Sequence, residues 1–330
     1  MVHVASKSVG ETGLGLMGLT TNADAQIPDS QGFLALKKSL ELGANFWNSG
    51  DFYGRPEPTL NLQFLSRYFT KYPEDADKVY LSVKGGVRNG APSASPEAID
   101  NSFKRIFAHL DGKKHLDMFC LARVNSEIPI EESVRAIVKH IEAGHVDSIC
   151  LSEVAANTIR RAHKVHPIAA VELEFSLWSR EAEENGVFAT CAELGIPVIA
   201  YSPLGRGFLT GRFQSRSQVP QGDFKLTLDR FSDENMEKNR VLLDQVSAIA
   251  KRNNVSNAQV ALQWVRNHSN KPGYPTIISI PGATRAERVA ENSVDVAISD
   301  DDWKQLDDFL KSFSVSGYRY TKEVEGTLYQ

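Results

Sequence analysis

The chain has 330 residues, 42% hydrophobic and 24% charged, with 37 Lys and Arg against 41 Asp and Glu for a formal net charge of −4. It is too long and too apolar for a disulfide-stapled miniprotein or a disordered segment, and one α/β barrel with insertions accommodates it. The slight acidic excess offers no basic surplus for phosphate backbones or anionic lipid, so the expected partner is a small molecule, with no nucleic acid and no membrane.

In chain order, short runs rich in Val, Ile, Phe and Leu recur at 13–19, 45–49, 79–83, 116–122, 146–152, 168–175, 197–202 and 276–282. Several lack strict alternation, as expected of strands buried on both faces. Between them run helical patterns: Phe33, Leu36 and Leu40; Val134, Ile137, Val138 and Ile141; Leu242, Leu243, Val246, Ile249 and Ala250. Ser95-Pro96-Glu97 reads as a capped helix start with proline at the first helical position. Gly43, Gly144 and Gly195 read as stops. Asp300-Asp301-Asp302 before Trp303 reads as a helix N-terminus.

Repeated β-α units imply a parallel sheet, and eight of them close into a (β/α)8 TIM barrel, here one domain over residues 1–330. A doubly wound open sheet is the alternative. Its fingerprint is missing, because Gly13-Leu14-Gly15 lacks the GxxG continuation and no helix follows directly. The interval from Ser202 to Thr276 holds a polar loop, about 205–235, before its helix. On the C-terminal face of a barrel such a loop can cover a ligand. A tail, about 312–330, ends the sequence.

Cys120, Cys150 and Cys191 have no metal-ligand spacing and apolar flanks, so they read as buried packing thiols in a reducing compartment, with no metal site. The N-terminal stretch has no apolar signal core, and no run reaches the roughly 18 apolar residues of a membrane span. The expectation is a cytoplasmic protein, with a nuclear location also compatible.

In a barrel, chemistry lies at the C-terminal strand ends. There the sequence puts Asn48 and Tyr53 after the second strand, Lys84 after the third and Arg123 after the fourth. Ser152 and Glu153 follow the fifth, Glu172 and Glu174 lie in the sixth, and Tyr201-Ser202 close the seventh. A tyrosine near its ordinary pKa of about 10 is a poor acid at neutral pH, and an adjacent ammonium lowers that value. The plainer alternative has Lys84 pairing with a neighbouring acid while Tyr53 packs on a loop.

The words at these positions are Asn48-Ser49-Gly50-Asp51-Phe52-Tyr53-Gly54, Val83-Lys84-Gly85-Gly86, Tyr201-Ser202-Pro203-Leu204-Gly205-Arg206-Gly207-Phe208-Leu209-Thr210-Gly211, and Ile280-Pro281-Gly282 with Glu291-Asn292. In this order, over essentially the whole chain, they resemble the aldo-keto reductase family. Leu151-Ser152-Glu153-Val154, the run 167–180 and Gly317-Tyr318-Arg319-Tyr320 are similar to its fungal pyridoxal reductase branch.

The resemblance implies NADPH-dependent reduction of an aromatic aldehyde, pyridoxal to pyridoxine first among them, with Tyr53 as proton donor and Lys84 as its partner. It puts Asn48 where the family has an Asp and Ala122 where it has a His. Without that carboxylate Lys84 is expected to have a lowered pKa, and Asp51 is the acid nearby in sequence. For the cofactor, the resemblance implies stacking on Tyr201 beside Ser202, and Ser152, Glu153 and Glu172 at the carboxamide. It implies Leu204, Gly205 and Arg206 at the pyrophosphate, Arg288 at the 2′-phosphate, and Glu291 and Asn292 at the adenine. A guanidinium suits a phosphate dianion, which favours NADPH over NADH. Phe52, Arg123 and Trp178 are expected to wall the substrate pocket. Asn48 and Ala122 also keep open a different class, an NADPH-binding regulatory subunit like the potassium-channel β-subunits, and another aryl aldehyde remains an alternative substrate.

Overall fold

The eight apolar runs become eight parallel strands of one sheet in the computed structural model, which describes all residues except 22–25, 89–90, 270 and 327. They are β1 (Leu14–Gly15), β2 (Phe46–Gly50), β3 (Tyr80–Gly85), β4 (Leu116–Leu121), β5 (Val146–Ser152), β6 (Ala170–Glu174), β7 (Val198–Tyr201) and β8 (Ile277–Ser279). Each pairs with the next in parallel. Bridges Thr12–Ser279 and Gly15–Gly282 join β8 back to the β1 segment, closing the barrel.

Helices follow the strands as the sequence implies. They are α1 (Asp29–Glu41), α2 (Leu60–Lys71), α3 (Pro96–Leu110), α4 (Ile130–Glu142), α5 (Ala156–Val165) and α6 (Val187–Leu194), then α7 (Asp233–Arg252), α8 (Asn257–His268), α9 (Ala286–Ser293) and α10 (Asp300–Ser312). Ser95 caps α3 by accepting from the Ala98 amide at 3.2 Å, ahead of Pro96. Gly195 ends α6 with φ 66°. The acidic run 300–302 is the first turn of α10, capped by Ser299.

Two expectations need amendment. The first run yields only a two-residue strand, because Met17–Leu19 tightens into a 3-10 turn. The interval between β7 and β8 holds two helices, not one, and Ser256 with Gln259 forms a reciprocal capping box at the start of α8. Ahead of them the loop passes through four 3-10 turns between Gly205 and Phe231.

The core has two parts. The larger lies between sheet and helices. The smaller fills the barrel axis with Phe46, Tyr80, Met118, Cys120, Cys150, Ala170, Ile199 and Ile278, and is closed below by Val4 and Val9 of the hairpin Val2–Val4/Lys7–Val9. Period-2 alternation puts residues further along the same strands on that inner face: Asn48, Lys84, Ser152, Glu172 with Glu174, and Tyr201. These polar groups sit at the C-terminal mouth above an apolar plug. No helix among the described residues is long and apolar enough to cross a membrane.

Candidate active site

Tyr53 folds back over the end of β2, its amide donating to the Gly50 carbonyl at 3.2 Å. Only glycine permits this, since a Cβ at position 50 would lie 2.9 Å from the Tyr53 ring. Phe52 packs edge-on against Tyr53, centroids 5.1 Å apart, and stays half-buried at the rim. Tyr53 itself is 8% exposed.

Lys84 rises from β3 beside the Tyr53 phenol and forms an ion pair with Glu172 Oε1, both side chains being buried. Asn48 donates through Nδ2 to the other oxygen, Glu172 Oε2, at 2.8 Å. The ammonium lies 5.1 Å from the Tyr201 ring centroid. Lys84 thus pairs with an acid, as the plainer alternative has it, and lies beside the phenol as well.

The pKa expectations are corrected. Burial pulls the Lys84 ammonium down, but the Glu172 carboxylate, helped by Tyr53, outweighs it, so Lys84 is held above its ordinary value. Burial also raises the Tyr53 phenol above its ordinary value; Lys84 opposes this and Glu172 reinforces it. Asp51 does not serve Lys84. It points outward to Arg105 of α3, with Nη2–Oδ2 at 2.5 Å and Nε–Oδ2 at 3.1 Å.

Two further acid–base pairs and one arginine–serine contact ring the mouth. Glu153 accepts from Arg319 Nη2 at 2.6 Å, from the Tyr201 hydroxyl at 2.7 Å and from the Glu174 amide at 2.9 Å. Burial raises its carboxyl, yet Arg319 and Arg123 hold it below the usual carboxylate range. Glu174 binds Arg206 Nη2 at 2.8 Å, while Arg206 Nη1 donates to the Arg319 carbonyl at 2.8 Å. Arg123 donates to Ser152 Oγ at 3.2 Å and lies 6.0 Å from the Tyr320 ring, whose hydroxyl meets that of Tyr201 at 3.0 Å.

Arg319 and Tyr320 of the C-terminal tail join the site, which the sequence motifs do not indicate. Their contacts cross 166 and 119 positions, a distance no local pattern encodes. Trp178 is 2% exposed, stacked on Phe208 at 4.2 Å beneath the loop after β7. It supports that loop and does not face an open pocket.

Cys120 and Cys150 oppose each other on β4 and β5 with Sγ atoms 3.1 Å apart under Glu172. The three residues bring possible ligand atoms within 4.8 Å of one another, but Lys84 and Asn48 already engage the carboxylate.

An aldo-keto reductase family model matches residues 11–311. The chain belongs to the aldo-keto reductase family. A reductase of this kind from Schizosaccharomyces pombe, named probable pyridoxal reductase 2, is 39% identical over 97% of each chain. An aldo-keto reductase from the same yeast with NADP(+) in its name is 33% identical, over 96% of this chain and 93% of its own. Glycerol dehydrogenase from Gluconobacter oxydans shares the fold, with a TM-score of 0.76 at 19% identity over 94% of each chain.

The family uses a nicotinamide cofactor, and groups of suitable chemistry stand at two ends of the mouth. A half-buried Tyr201 ring lies beside Tyr53 and Lys84. Around Leu204 and half-buried Ser202 the loop bends through φ values of 50° at Ser202, 56° at Gly205, 55° at Arg206 and 97° at Gly207. A Cβ at Gly205 would sit 3.0 Å from Trp178, so the cradle depends on glycine there. Arg288 on α9 has its side chain 69% exposed and touches only Glu291, at 2.5 Å, among the contacts described. Asn292 is buried, with its carbonyl accepting from Arg266. In the middle the fit differs from expectation: Glu153 and Glu172 are committed to Arg319 and Lys84, which leaves Ser152 to meet an amide.

Proposed function

We propose that the protein reduces aromatic aldehydes with NADPH, pyridoxal being the first substrate to test. The observation that carries this reading is the buried Tyr53–Lys84 pair at the mouth, in a chain 39% identical over nearly its full length to a protein named as a pyridoxal reductase. A reduced nicotinamide nucleotide supplies the hydride when bound. The Tyr53 phenol donates its proton to the carbonyl oxygen, and the Lys84 ammonium stabilises the phenolate left behind. Burial of both groups excludes water, which strengthens their interaction.

Tyr201 offers the stacking face, and Ser152 Oγ can donate to the carboxamide oxygen as no carboxylate can. Arg206 and Arg288 supply guanidinium groups for the pyrophosphate and the 2′-phosphate. Arg206 must share itself with Glu174, whereas Arg288 is free to swing from Glu291. Glu291 and Asn292 are assigned to the adenine end. Arg123 is placed to orient a polar ring substituent, and Ala122 has a smaller side chain than the His that the family resemblance puts there.

Purified protein with NADPH and pyridoxal should lose the absorbance of the reduced cofactor, faster than with NADH, and Tyr53→Phe should slow the loss at least about 100-fold. No turnover of pyridoxal alongside turnover of other aryl aldehydes would redirect the substrate assignment. Tight NADPH binding without turnover of any carbonyl would favour the regulatory-subunit reading that Asn48 and Ala122 motivate.

A further inference from the structure

Four buried carboxylates lie in or next to the strand ends, and the structure gives each its own cation: Asp51 with Arg105, Glu153 with Arg319, Glu174 with Arg206 and Glu172 with Lys84. Among the described residues Lys84 therefore has one acid paired with it, and it comes from β6, 88 positions away. Asn48, at the position where the family resemblance leads one to expect an acid, hydrogen-bonds that same carboxylate. The amide at 48 and the acid at 172 thus touch, and the charge lies on the β6 side.

We propose that Glu172 is the counter-ion that keeps Lys84 charged and aimed at Tyr53, with Asn48 holding the second carboxylate oxygen. This makes Glu172 a positioning residue acting through Lys84, not a ligand of the cofactor carboxamide. The proposal deepens the reductase reading and rests on it for its catalytic consequence. Chemically, a buried ammonium without an opposite charge loses its proton. A neutral amine cannot stabilise a phenolate. An amide at 48 satisfies an oxygen but carries no charge, so the acid at 172 is required, and either position can supply it.

The groups facing the Lys84 ammonium are Glu172 from β6, Tyr53 from the loop after β2, Cys120 and Arg123 from β4 and its end, and the Tyr201 ring from β7. Titration of Lys84 reads them together. In protein without cofactor, carrying 13C at lysine Cε, the wild-type Lys84 signal should not move below pH 10.5. Glu172→Gln should bring its titration below that value, and Asn48→Asp/Glu172→Gln should return it.

Activity should follow. Glu172→Gln lowers kcat about 100-fold, the scale of a disabled general acid, and the double variant recovers at least tenfold of it. The Kd for NADPH, read by fluorescence, stays within about twofold in Glu172→Gln; a carboxamide ligand would instead lose Kd. An unmoved Lys84 titration in Glu172→Gln, or a folded double variant no better than the single one, overturns the proposal. Should Glu172→Gln fail to fold, the double variant decides alone: wild-type-like folding and titration support the proposal, and failure to fold overturns it. A wild type that turns over no carbonyl ends the reductase reading and leaves the titration result standing.

Discussion

Arg319 and Glu153 form an ion pair at 2.6 Å in which the two side chains are 1% and 0% exposed. It ties the C-terminal tail to the end of β5, and the amide of Tyr329 adds a hydrogen bond to the Glu153 carbonyl at 2.8 Å. Removing one partner leaves a buried charge uncompensated, at a cost of about 3–5 kcal/mol. Arg319→Met should therefore lower stability to urea by that order and expose the tail to limited proteolysis. An unchanged unfolding midpoint would show that the pair contributes little.

The same pair gives a pH dependence. The Glu153 carboxyl is held below its ordinary range in the folded protein. A depressed carboxyl contributes its full stability above the unfolded-state pKa of about 4.3 and loses it as pH falls through the lower folded value. Unfolding free energy of the wild type should decline below about pH 4.3, and Arg319→Met should flatten that decline. Parallel curves would contradict the assignment.

Tyr53 must be protonated to act as an acid, and its phenol lies above the ordinary tyrosine value. The rate of carbonyl reduction should consequently stay level to about pH 10. Tyr53→Phe should reduce kcat by about 100- to 10,000-fold. A basic limb falling between pH 7 and 8 in the wild type would mean that a different group donates the proton.

Arg288 tests cofactor choice. A charge-assisted hydrogen bond contributes about 1.5–3 kcal/mol, so Arg288→Ala should raise the Kd for NADPH about 10- to 100-fold and leave that for NADH in place. Equal loss for both cofactors would place Arg288 away from the 2′-phosphate.

The three cysteines are buried and unpaired. Burial pushes the Cys191 thiol up to about 12 and raises Cys150 well above its usual value. Since the thiolate is the reactive form, a thiol reagent at pH 8 should find no reactive group in the native protein and all three after denaturation.

Strand order, helix stops and the ring of polar strand ends were legible because each is local: period-2 alternation places Asn48, Lys84 and Glu172 on one inner face without knowledge of the closed barrel. Which of these meet was not legible. Lys84 and Glu172 come together only because β3 and β6 face each other across the axis, and Asp51, nearer in sequence, is turned outward to Arg105. The tail contacts depend on where the chain goes after α10. The second helix before β8 is signalled by the Ser256 and Gln259 capping box and not by apolar periodicity, which shows only the first.

The joint between β8 and the β1 segment rests on few backbone bonds: the Gly13 amide to Ser279 at 2.8 Å, Gly15 to Pro281 at 3.2 Å and Ser279 to Glu11 at 3.2 Å. Elsewhere β4 and β5 pair over five register positions. A ring opens at its weakest link, so amide hydrogens should exchange with solvent first at Gly13 and Gly15 and last at Cys120 and Cys150. The wall that breathes is then the one nearest Arg288, and the wall that carries Lys84 and the thiol pair stays shut.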